Sequence, residues 1–271
     1  MAADPYAIDA AFYDAIHGDG GDDLDFWLPL VAEHGGPVLE VGAGTGRIAL
    51  PLARAAHAVA ALDPSPAVAA LDPSPAMLAI ARQRAAEEGL AVTFVDGRLP
   101  GAELPPAAFA TVILPNDVFL ACASEDEQVR ALRAASTLLA PRGRLALDVA
   151  GPGHWLDPDD NGEPILAWSG DAGGERLEVW HVRHDDLATQ TRRLRIRYEV
   201  TVADGQVRQT ESEHVLRYVT LPELTSMLDA AGLRVLDTWG DYLLGALTNA
   251  SERLIVTAEL VEGAPRRRVA T

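Results

Sequence analysis

The chain has 271 residues, 48% of them hydrophobic, which suits one large domain or two small ones with a sizeable core and argues against general disorder. Its formal net charge is −18, so a nucleic-acid substrate is not expected, although the acidity could also serve solubility alone. The single cysteine excludes an internal disulfide, and neither a signal peptide nor an apolar run of ~20 residues is visible, so we expect a cytoplasmic protein without membrane contact.

Two helices are predicted ahead of the first core strand. Residues 7–16 and 24–33 both carry apolar side chains at helical spacing. Seven aspartates are spread between Asp4 and Asp25, whereas all 22 basic residues of the chain are arginine. An acidic chain with much arginine and alanine and no lysine indicates a GC-rich bacterial genome.

A strand, a glycine-rich loop and a helix come next, within VLEVGAGTGR and residues 48–56. The loop carries Gly42, Gly44 and Gly46. Their spacing, G-x-G-x-G, differs from the dinucleotide fingerprint, and Arg47 stands where that motif has its last glycine. A P-loop needs a lysine, which the chain lacks. Glu40, just before the loop, suits a ligand with a cationic end and no phosphate, as in S-adenosylmethionine (SAM).

Four segments resemble the successive motifs of the class I SAM-dependent methyltransferases, in that family's order. They are VLEVGAGTGRIALPLA, ALDPSPAMLAIAR, VTFVDGR and LLAPRGRLALDV. The resemblance covers residues 35–150 well and 215–260 more loosely. It implies an α/β fold with a Rossmann-like seven-stranded methyltransferase sheet, SAM as cofactor, and an N-terminal helical segment that covers the cofactor. Tyr13 of that segment is expected to contact cofactor or substrate.

A perfect tandem repeat of nine residues stands where the second strand is expected. VAALDPSPA fills residues 59–67 and again residues 68–76. Each copy can supply a strand, an acid at its end, and a helix start with Ser as cap and Pro at the first position. The resemblance implies that this acid binds the ribose hydroxyls of SAM, so Asp63 and Asp72 are both candidates. We favour Asp63, because the length of the helix between the glycine loop and the next strand is hard to change.

The next two predicted strands, residues 92–95 and 110–114, supply further candidates for the cofactor site. Asp96 and Gly97 come directly after the first strand. By the resemblance, Asp96 approaches the adenine amino group, although an aspartate at this place can also cap a turn. Asn116 lies just beyond the second strand and could hydrogen-bond cofactor or substrate, or form an Asx turn.

The second half of the chain contains a predicted insertion. Ser124 and Glu127 form a capping box for a helix that leads to a fifth strand at residues 145–149. The pattern then changes to alternation of period two, which predicts three or more antiparallel strands before a last helix and two closing strands. We expect an N-terminal helical cover (1–34), a SAM-binding core (35–150), an inserted antiparallel β subdomain acting as lid or dimerisation surface (151–218), the C-terminal part of the core (219–260) and a disordered tail (261–271).

Methyl transfer from SAM needs positioning and desolvation more than a catalytic triad, because the sulfonium is already a strong leaving group. His154, which comes after the fifth strand, and Tyr13 are the candidate catalytic residues, as base or substrate contact. The histidines of the insertion are interpreted as solvated or cross-strand residues, and no metal site is expected. They are His181, His184 and His214.

The sequence therefore predicts methyl transfer from SAM to a small molecule, at nitrogen, carbon or oxygen. Nitrogen is slightly favoured, because an acidic protein attracts amines. A homodimer is a candidate assembly. Two alternatives stay open. The duplication could have spoiled the ribose site and left a degenerate binding or regulatory protein, or the chain could be a nicotinamide oxidoreductase, against which Glu40 and the missing glycine argue.

Overall fold

Two β-sheets and eight α-helices make up the part of the chain that the computed structural model describes, residues 4–18, 21–59, 68–155 and 161–261. The strands are β1 (Val38–Val41), β2 (Val68–Asp72), β3 (Val92–Asp96), β4 (Phe109–Leu114), β5 (Leu139–Ala150), β6 (Pro164–Ala172), β7 (Glu175–Asp186), β8 (Thr191–Thr201), β9 (Val207–Arg217), β10 (Leu233–Trp239) and β11 (Arg253–Leu260). The helices are α1 (Ala7–Ala10), α2 (Tyr13–His17), α3 (Leu24–His34), α4 (Ala49–Val59), α5 (Pro75–Glu88), α6 (Glu125–Leu138), α7 (Pro152–Trp155) and α8 (Leu221–Ala230), with a 3₁₀ helix at Val118–Ala121.

The larger sheet has seven strands in the order β10-β11-β5-β4-β1-β2-β3. Strand β11 runs antiparallel to both of its neighbours, and the pairs from β5 to β3 are parallel. The Rossmann-like sheet implied by the resemblance is confirmed. The chain reverses its direction of travel across the sheet between β1 and β4, and such a switch point opens a crevice at the carboxyl ends of the strands.

The central strands are buried on both faces, as their continuous apolar sequence predicts. Val38 belongs to one core cluster, together with Trp27 of α3. The next residue, Leu39, belongs to the cluster on the other face, together with Leu132 of α6 and Leu228 of α8. Helices therefore cover both sides of the sheet and leave its carboxyl edge for a ligand.

A separate four-stranded antiparallel sheet, β6-β7-β8-β9, forms the insertion. Its strand β6 and helix α7 were not singled out in the sequence pattern, whereas β7, β8 and β9 match the three alternating segments. One face of this sheet packs on α1 and α2, where the ring of Phe12 stacks on Tyr198 at 4.5 Å. The N-terminal helices thus lie between the two sheets.

Side-chain caps start three of the helices. Ser74 accepts a hydrogen bond from Met77 N at 3.1 Å, with Pro75 in the first turn of α5. Thr220 and Glu223 form a complete capping box on α8. Ser124 likewise caps α6, but the Glu127 carboxylate accepts from Ala123 N, so the reciprocal bond of the predicted box is displaced by one residue.

The second copy of the nine-residue repeat is strand β2, so the preference for the first copy was wrong. Val68 pairs with Val38 of β1 on one side and with Val92 of β3 on the other. In the sequence, the extra residues stand between α4 and β2, ahead of the amino end of β2. Asp63 lies in the part of the repeat outside the described residues.

The residues that come after each copy decide this choice. If the first copy were the strand and a helix began directly at Pro66, Pro73 and Pro75 would stand in the helix interior, where each costs about 3 kcal/mol. If the nine extra residues instead formed a loop between the first copy and the helix, the acid at the end of that strand would no longer adjoin the start of the helix. If the second copy is the strand, the extra residues only lengthen the connection between α4 and β2, and the free-energy cost of closing a loop grows slowly with its length.

Among the described residues, no helix has the length and apolar character needed to cross a membrane.

Candidate active site

A cavity of about 750 Å³ lies at the carboxyl ends of β1, β2 and β4. The glycine loop and the strand ends form one wall, and β8 and β9 of the insertion form the opposite wall. The third wall is formed by residues 5–17 of the N-terminal cover, which is defined here as residues 4–18 and 21–34. The switch point of the larger sheet and the insertion therefore face each other across one space.

The glycine loop makes a close turn over the cavity. Gly42 has φ +75°, its N–H bonds to the carbonyl of Leu71 at 2.7 Å, and a Cβ there would stand 2.2 Å from Val118. Gly42 and Gly44 line the cavity as predicted, whereas Gly46 does not. A Cβ on Gly46 would instead meet Leu50 at 2.9 Å, so this glycine serves the packing of the loop on α4.

Glu40 is a buried carboxylate with an open hydrogen-bonding atom. Its side chain is 2% exposed and lines the cavity. Burial raises the pKa of Glu40 well above its usual value, although Arg47 nearby opposes this. Its Oε2 has no hydrogen-bond partner among the described residues. A cationic group placed beside this oxygen would remove the cost of the unpaired charge.

Asp72 closes the glycine loop from the end of β2. Its Oδ2 accepts from Gly44 N and its Oδ1 from Ser74 N, both at 2.8 Å. Burial raises the pKa of Asp72, and the two N–H donors oppose that rise. Each carboxylate oxygen has a second acceptor site, so Asp72 can still receive hydroxyl donors from the cavity.

The predicted residues after β3 and β4 are only partly in the cavity. Asp96 is exposed, pairs with Arg82 at 3.0 Å and lies outside the lining, so an adenine contact from Asp96 has no support here. Gly97 and Asn116 do line the cavity. Asn116 has φ +52°, and its N–H donates to Asp148 at 2.7 Å.

Asp148 fixes this end of β4 from behind the cavity. It is fully buried, accepts from Tyr242 Oη at 2.7 Å and is paired with Arg253. Burial raises the pKa of Asp148, and Arg253 opposes this rise. Tyr242 therefore lies beneath the site and not in its lining.

The two predicted catalytic residues have different outcomes. Tyr13 lines the cavity, beside Arg47 and Glu40. Burial raises the pKa of Tyr13 although Arg47 lowers it, so its phenol is neutral at physiological pH. His154 lies in α7, exposed and outside the lining, so the structure does not bring it to the site.

Aspartates attach the N-terminal cover to the cofactor side of the cavity. Asp4 accepts from Ser74 Oγ at 2.8 Å and from Ala76 N at 3.2 Å, at the start of α5. Asp14 accepts from Thr45 Oγ1 of the glycine loop at 2.6 Å. Asp4 and Asp14 are therefore held in specific hydrogen bonds and do not act only through the overall negative charge.

A deeper pair joins the same cover to the start of α4. Asp23 binds the guanidinium of Arg47 through both of its oxygens, at 2.9 and 2.5 Å. Both side chains are 7% exposed. Arg47, which stands where a dinucleotide fingerprint has its last glycine, thus anchors the cover.

On the insertion side, Asp9 and His214 form a pair that the sequence did not reveal. His214 Nε2 lies 2.9 Å from Asp9 Oδ2, and both residues line the cavity. Asp9 Oδ1 accepts from Tyr198 at 2.6 Å and from Ser212 at 2.5 Å. Burial raises the pKa of Asp9, but the hydrogen bonds from His214, Ser212 and Tyr198 outweigh it and hold the pKa below its usual value.

Within the described ranges, no group of three or more His, Cys, Asp or Glu residues is arranged to hold a metal ion.

Comparison with known proteins identifies the domain. Residues 38–143 match the family of the methyltransferase domain. This segment, which runs from β1 into β5, is similar to a methyltransferase domain, and with the fold it supports SAM-dependent methyltransferase activity. None of the curated proteins matches the sequence.

Solved methyltransferases share the fold over nearly the whole chain. The CcbJ methyltransferase of Streptomyces caelestis is 24% identical over 95% of this chain and 97% of its own, with a TM-score of 0.76. A SAM-dependent methyltransferase of Clostridium acetobutylicum is 17% identical over 94% and 99%, with a TM-score of 0.77. The sugar N-methyltransferase KedS8 of Streptoalloteichus is 22% identical over 93% and 92%, with a TM-score of 0.70. At these identities the likeness establishes the fold.

The residues of the methyltransferase cavity fit SAM. The unpaired Oε2 of Glu40 is suited to a cation, and the Cβ-free turn at Gly42 leaves room for close approach of a ligand to the backbone. Asp72 offers acceptors beside that turn. The chain has no lysine, and Arg47, the arginine that follows the glycine loop, is already paired with Asp23.

Proposed function

We propose that this methyltransferase transfers the methyl group of SAM to an amino group of a small molecule. The observation that carries the proposal is the cavity shared by the inserted sheet and the cradle, which is the glycine loop together with Glu40 and Asp72. A cofactor in the cradle and a substrate against β8 and β9 would meet in this cavity, beside the N-terminal cover. The cavity volume of about 750 Å³ is in the range of small-molecule sites.

In this proposal, the strand-end acids and the glycine loop hold the cofactor. Glu40 faces its cationic end, Asp72 accepts from the ribose hydroxyls, and Gly42 and Gly44 allow close contact with the backbone. Bound SAM supplies an electrophilic methyl group on a sulfonium. The second copy of the repeat places Asp72 at the loop, which argues against a degenerate protein whose ribose site the duplication has spoiled.

The charge of the cavity favours an amine over a hydroxyl or a carbon nucleophile. Six acidic residues line it, against three arginines, one of which is paired with Asp23. An ammonium group is attracted by such a surface, which also opposes an anionic substrate. The acids are Asp9, Glu40, Asp72, Asp117, Glu127 and Glu213.

The protein's own contribution is to position and desolvate the nucleophile. Leu194, Ile196 and Leu216 give the insertion wall an apolar surface, so a bound amine exchanges water for protein on that side. Tyr13, neutral and close to the cradle, can donate a hydrogen bond that orients the substrate. In-line displacement then needs no covalent catalyst on the enzyme.

Binding of the cofactor product is the first test. Calorimetric titration of the chain with S-adenosylhomocysteine (SAH) should give micromolar binding, and no detectable binding would contradict the cradle. The second test is turnover with SAM and matched pairs of compounds that differ in one group. Amino sugar methyl glycosides are compared with the parent sugars, and amino acid amides with hydroxy acid amides.

The expected product is the amine with a mass gain of one CH₂, with the hydroxyl partner of each pair unchanged. Amino sugars are included because KedS8, which shares the fold, is a sugar N-methyltransferase. Methylation of the hydroxyl compounds in preference to the amines would contradict the proposal.

A further inference from the structure

We infer that His214, held by Asp9, accepts the proton that the substrate amine must lose before methyl transfer. This inference rests on the proposed function, because it assigns a base for the same site. An ammonium ion has no lone pair, so an amine that arrives protonated must be deprotonated before it can attack. The geometry of the insertion wall provides a carboxylate-backed imidazole for that purpose.

The contact between the two side chains indicates which ring nitrogen is available. Nε2 of His214 lies 2.9 Å from Asp9 Oδ2, within ion-pair distance but without hydrogen-bond geometry, so Oδ2 has no hydrogen-bond partner among the described residues. A ring that turns to donate from Nε2 to this oxygen carries its lone pair on Nδ1. Tyr6 stacks on the same ring at 4.9 Å with an interplanar angle of 12°, which restricts its rotation. The nucleophile-and-base arrangements of other enzymes use the same logic, in which a third group orients the base.

Asp9 is built to remain an anion while it orients the ring. Tyr198 and Ser212 both donate to its other oxygen. The lowered pKa of Asp9 shows that these donors stabilise its charge despite burial. An anionic Asp9 would also stabilise the imidazolium that forms when His214 takes a proton.

The surroundings of the ring come from several elements. Leu194 of β8 stands directly opposite His214 in the sheet, and the 3₁₀ helix packs against β9. The charged and titratable groups around the ring are Asp9 of α1, Tyr6 ahead of α1, Tyr198 of β8, and on its own strand Glu213, which Arg193 contacts at 3.2 Å.

The step balances as a proton transfer before a displacement. The substrate R–NH₃⁺ gives one proton to Nδ1 and becomes R–NH₂, while His214 becomes an imidazolium beside Asp9. The nitrogen lone pair then forms the N–C bond as the S–C bond of the cofactor breaks, which leaves R–NH₂⁺–CH₃ and SAH. The imidazolium then returns its proton to solvent.

The first test reads the ring directly and needs no substrate. Long-range ¹H–¹⁵N NMR of the full chain, labelled at histidine and saturated with SAH, is expected to show His214 neutral with its proton on Nε2. The signal is assigned by its loss in His214→Gln. A proton on Nδ1, or a doubly protonated ring at pH 7.5, would overturn the inference.

The second test is the pH profile of kcat/KM with the best amine of the substrate panel. His214→Gln is expected to lose about 100-fold at pH 7, the usual size of a general-base contribution. The loss should shrink to less than about tenfold at pH 9.5, because solvent then deprotonates the amine. SAH affinity should stay within about threefold of the parent.

Three variants separate a base from a structural link. Asp9→Asn should show the same rescue at high pH, and His184→Gln, at a strand histidine of the insertion outside the cavity lining, should keep the parent profile. A loss that does not depend on pH in His214→Gln would mean a structural role. His17 also lines the cavity, and a loss at pH 7 that is rescued at pH 9.5 in His17→Gln but not in His214→Gln would assign the base to His17. If SAH binds but no amine is methylated, the proposed function fails, and the NMR result still decides the state of the ring.

Discussion

Two buried carboxylates of this methyltransferase, Glu40 and Asp148, differ in what surrounds them. Burial raises the pKa of both. Asp148 is paired with Arg253 and accepts from Tyr242, whereas Glu40 keeps one oxygen without a partner. A buried carboxylate with one unpartnered oxygen lowers the free energy of unfolding at neutral pH. A cationic ligand beside that oxygen would remove this cost, and such an arrangement is typical of a binding residue.

Glu40→Gln is expected to raise the melting temperature and to weaken SAM binding by at least about tenfold. The folded pKa of Glu40 lies above its unfolded value, so the charged form destabilises the fold as pH rises from the unfolded pKa through the folded one. The amide removes that cost, and it also removes the charge that would face the cation. Thermal melting and calorimetry measure the two effects.

The same raised pKa predicts a pH dependence of cofactor affinity. A cation beside Glu40 lowers its pKa, so SAM binding should release a proton and become weaker as pH falls. Calorimetry in two buffers of different ionisation enthalpy detects the proton. Asp148→Asn is the matched control, and it should lower the melting temperature, because Arg253 loses its buried partner and keeps only the partly exposed Asp117. Higher SAM affinity in Glu40→Gln would contradict the assignment.

Asp72→Asn is expected to weaken SAH binding by at least about tenfold, while Asp63→Asn leaves it within about twofold. An asparagine can accept at only one of the two positions where Gly44 N and Ser74 N donate to Asp72. The two aspartates stand in identical nine-residue segments, so each variant controls for the other. Loss of binding in Asp63→Asn alone would mean that the first copy forms the strand in solution.

At the scale of elements, the sequence predicts strands and caps well where the chemistry is local. The glycine loop, the Ser74 cap and the capping box of Thr220 are read from adjacent residues. The repeat is different, because two identical segments compete for one position and the outcome depends on the residues C-terminal to each copy. The prolines after the first copy were the available signal.

Deletion of residues 59–67 is expected to leave a folded protein that binds SAH within about threefold of the parent affinity. Because the copies are identical, deleting either one gives the same chain, and that chain has the usual separation between glycine loop and acid. Shortening the connection between α4 and β2 lowers the loop-closure cost, so the melting temperature should stay equal or rise. Circular dichroism and calorimetry measure both, and lost SAH binding would show that the extra residues support the site.

At the scale of the molecule, the sequence predicts the cradle but not the opposite wall. Glu40 and the glycines lie on one continuous segment, whereas Asp9 meets Ser212, 203 positions away, and His214 beside it. His214 looked like any strand histidine, because its partner is on the N-terminal cover. His154 and Asp96 were proposed from their position after a strand, and neither side chain reaches the cavity.

The Arg47–Asp23 pair is expected to hold the cover to the core. Asp23→Asn should lower the free energy of unfolding by about 3 kcal/mol, because a buried guanidinium loses its carboxylate. Urea denaturation measures the change. The surface pair of Arg54 and Glu88 is the control, and Glu88→Gln should change stability little, since both partners face solvent. Equal losses in the free energy of unfolding in the two variants would mean that burial does not strengthen the Arg47–Asp23 pair.

If SAM and an amine bind as proposed, the attachment of the cover to both walls would also set the order in which they bind. Asp4 and Asp14 hold the cover to the cradle, and Asp9 holds it to the insertion. A cofactor seated in the cradle lies beneath these contacts, and a substrate lies over it. Steady-state kinetics should therefore show a compulsory sequence, with SAM binding first and SAH leaving last, so that SAH competes with SAM but not with the amine.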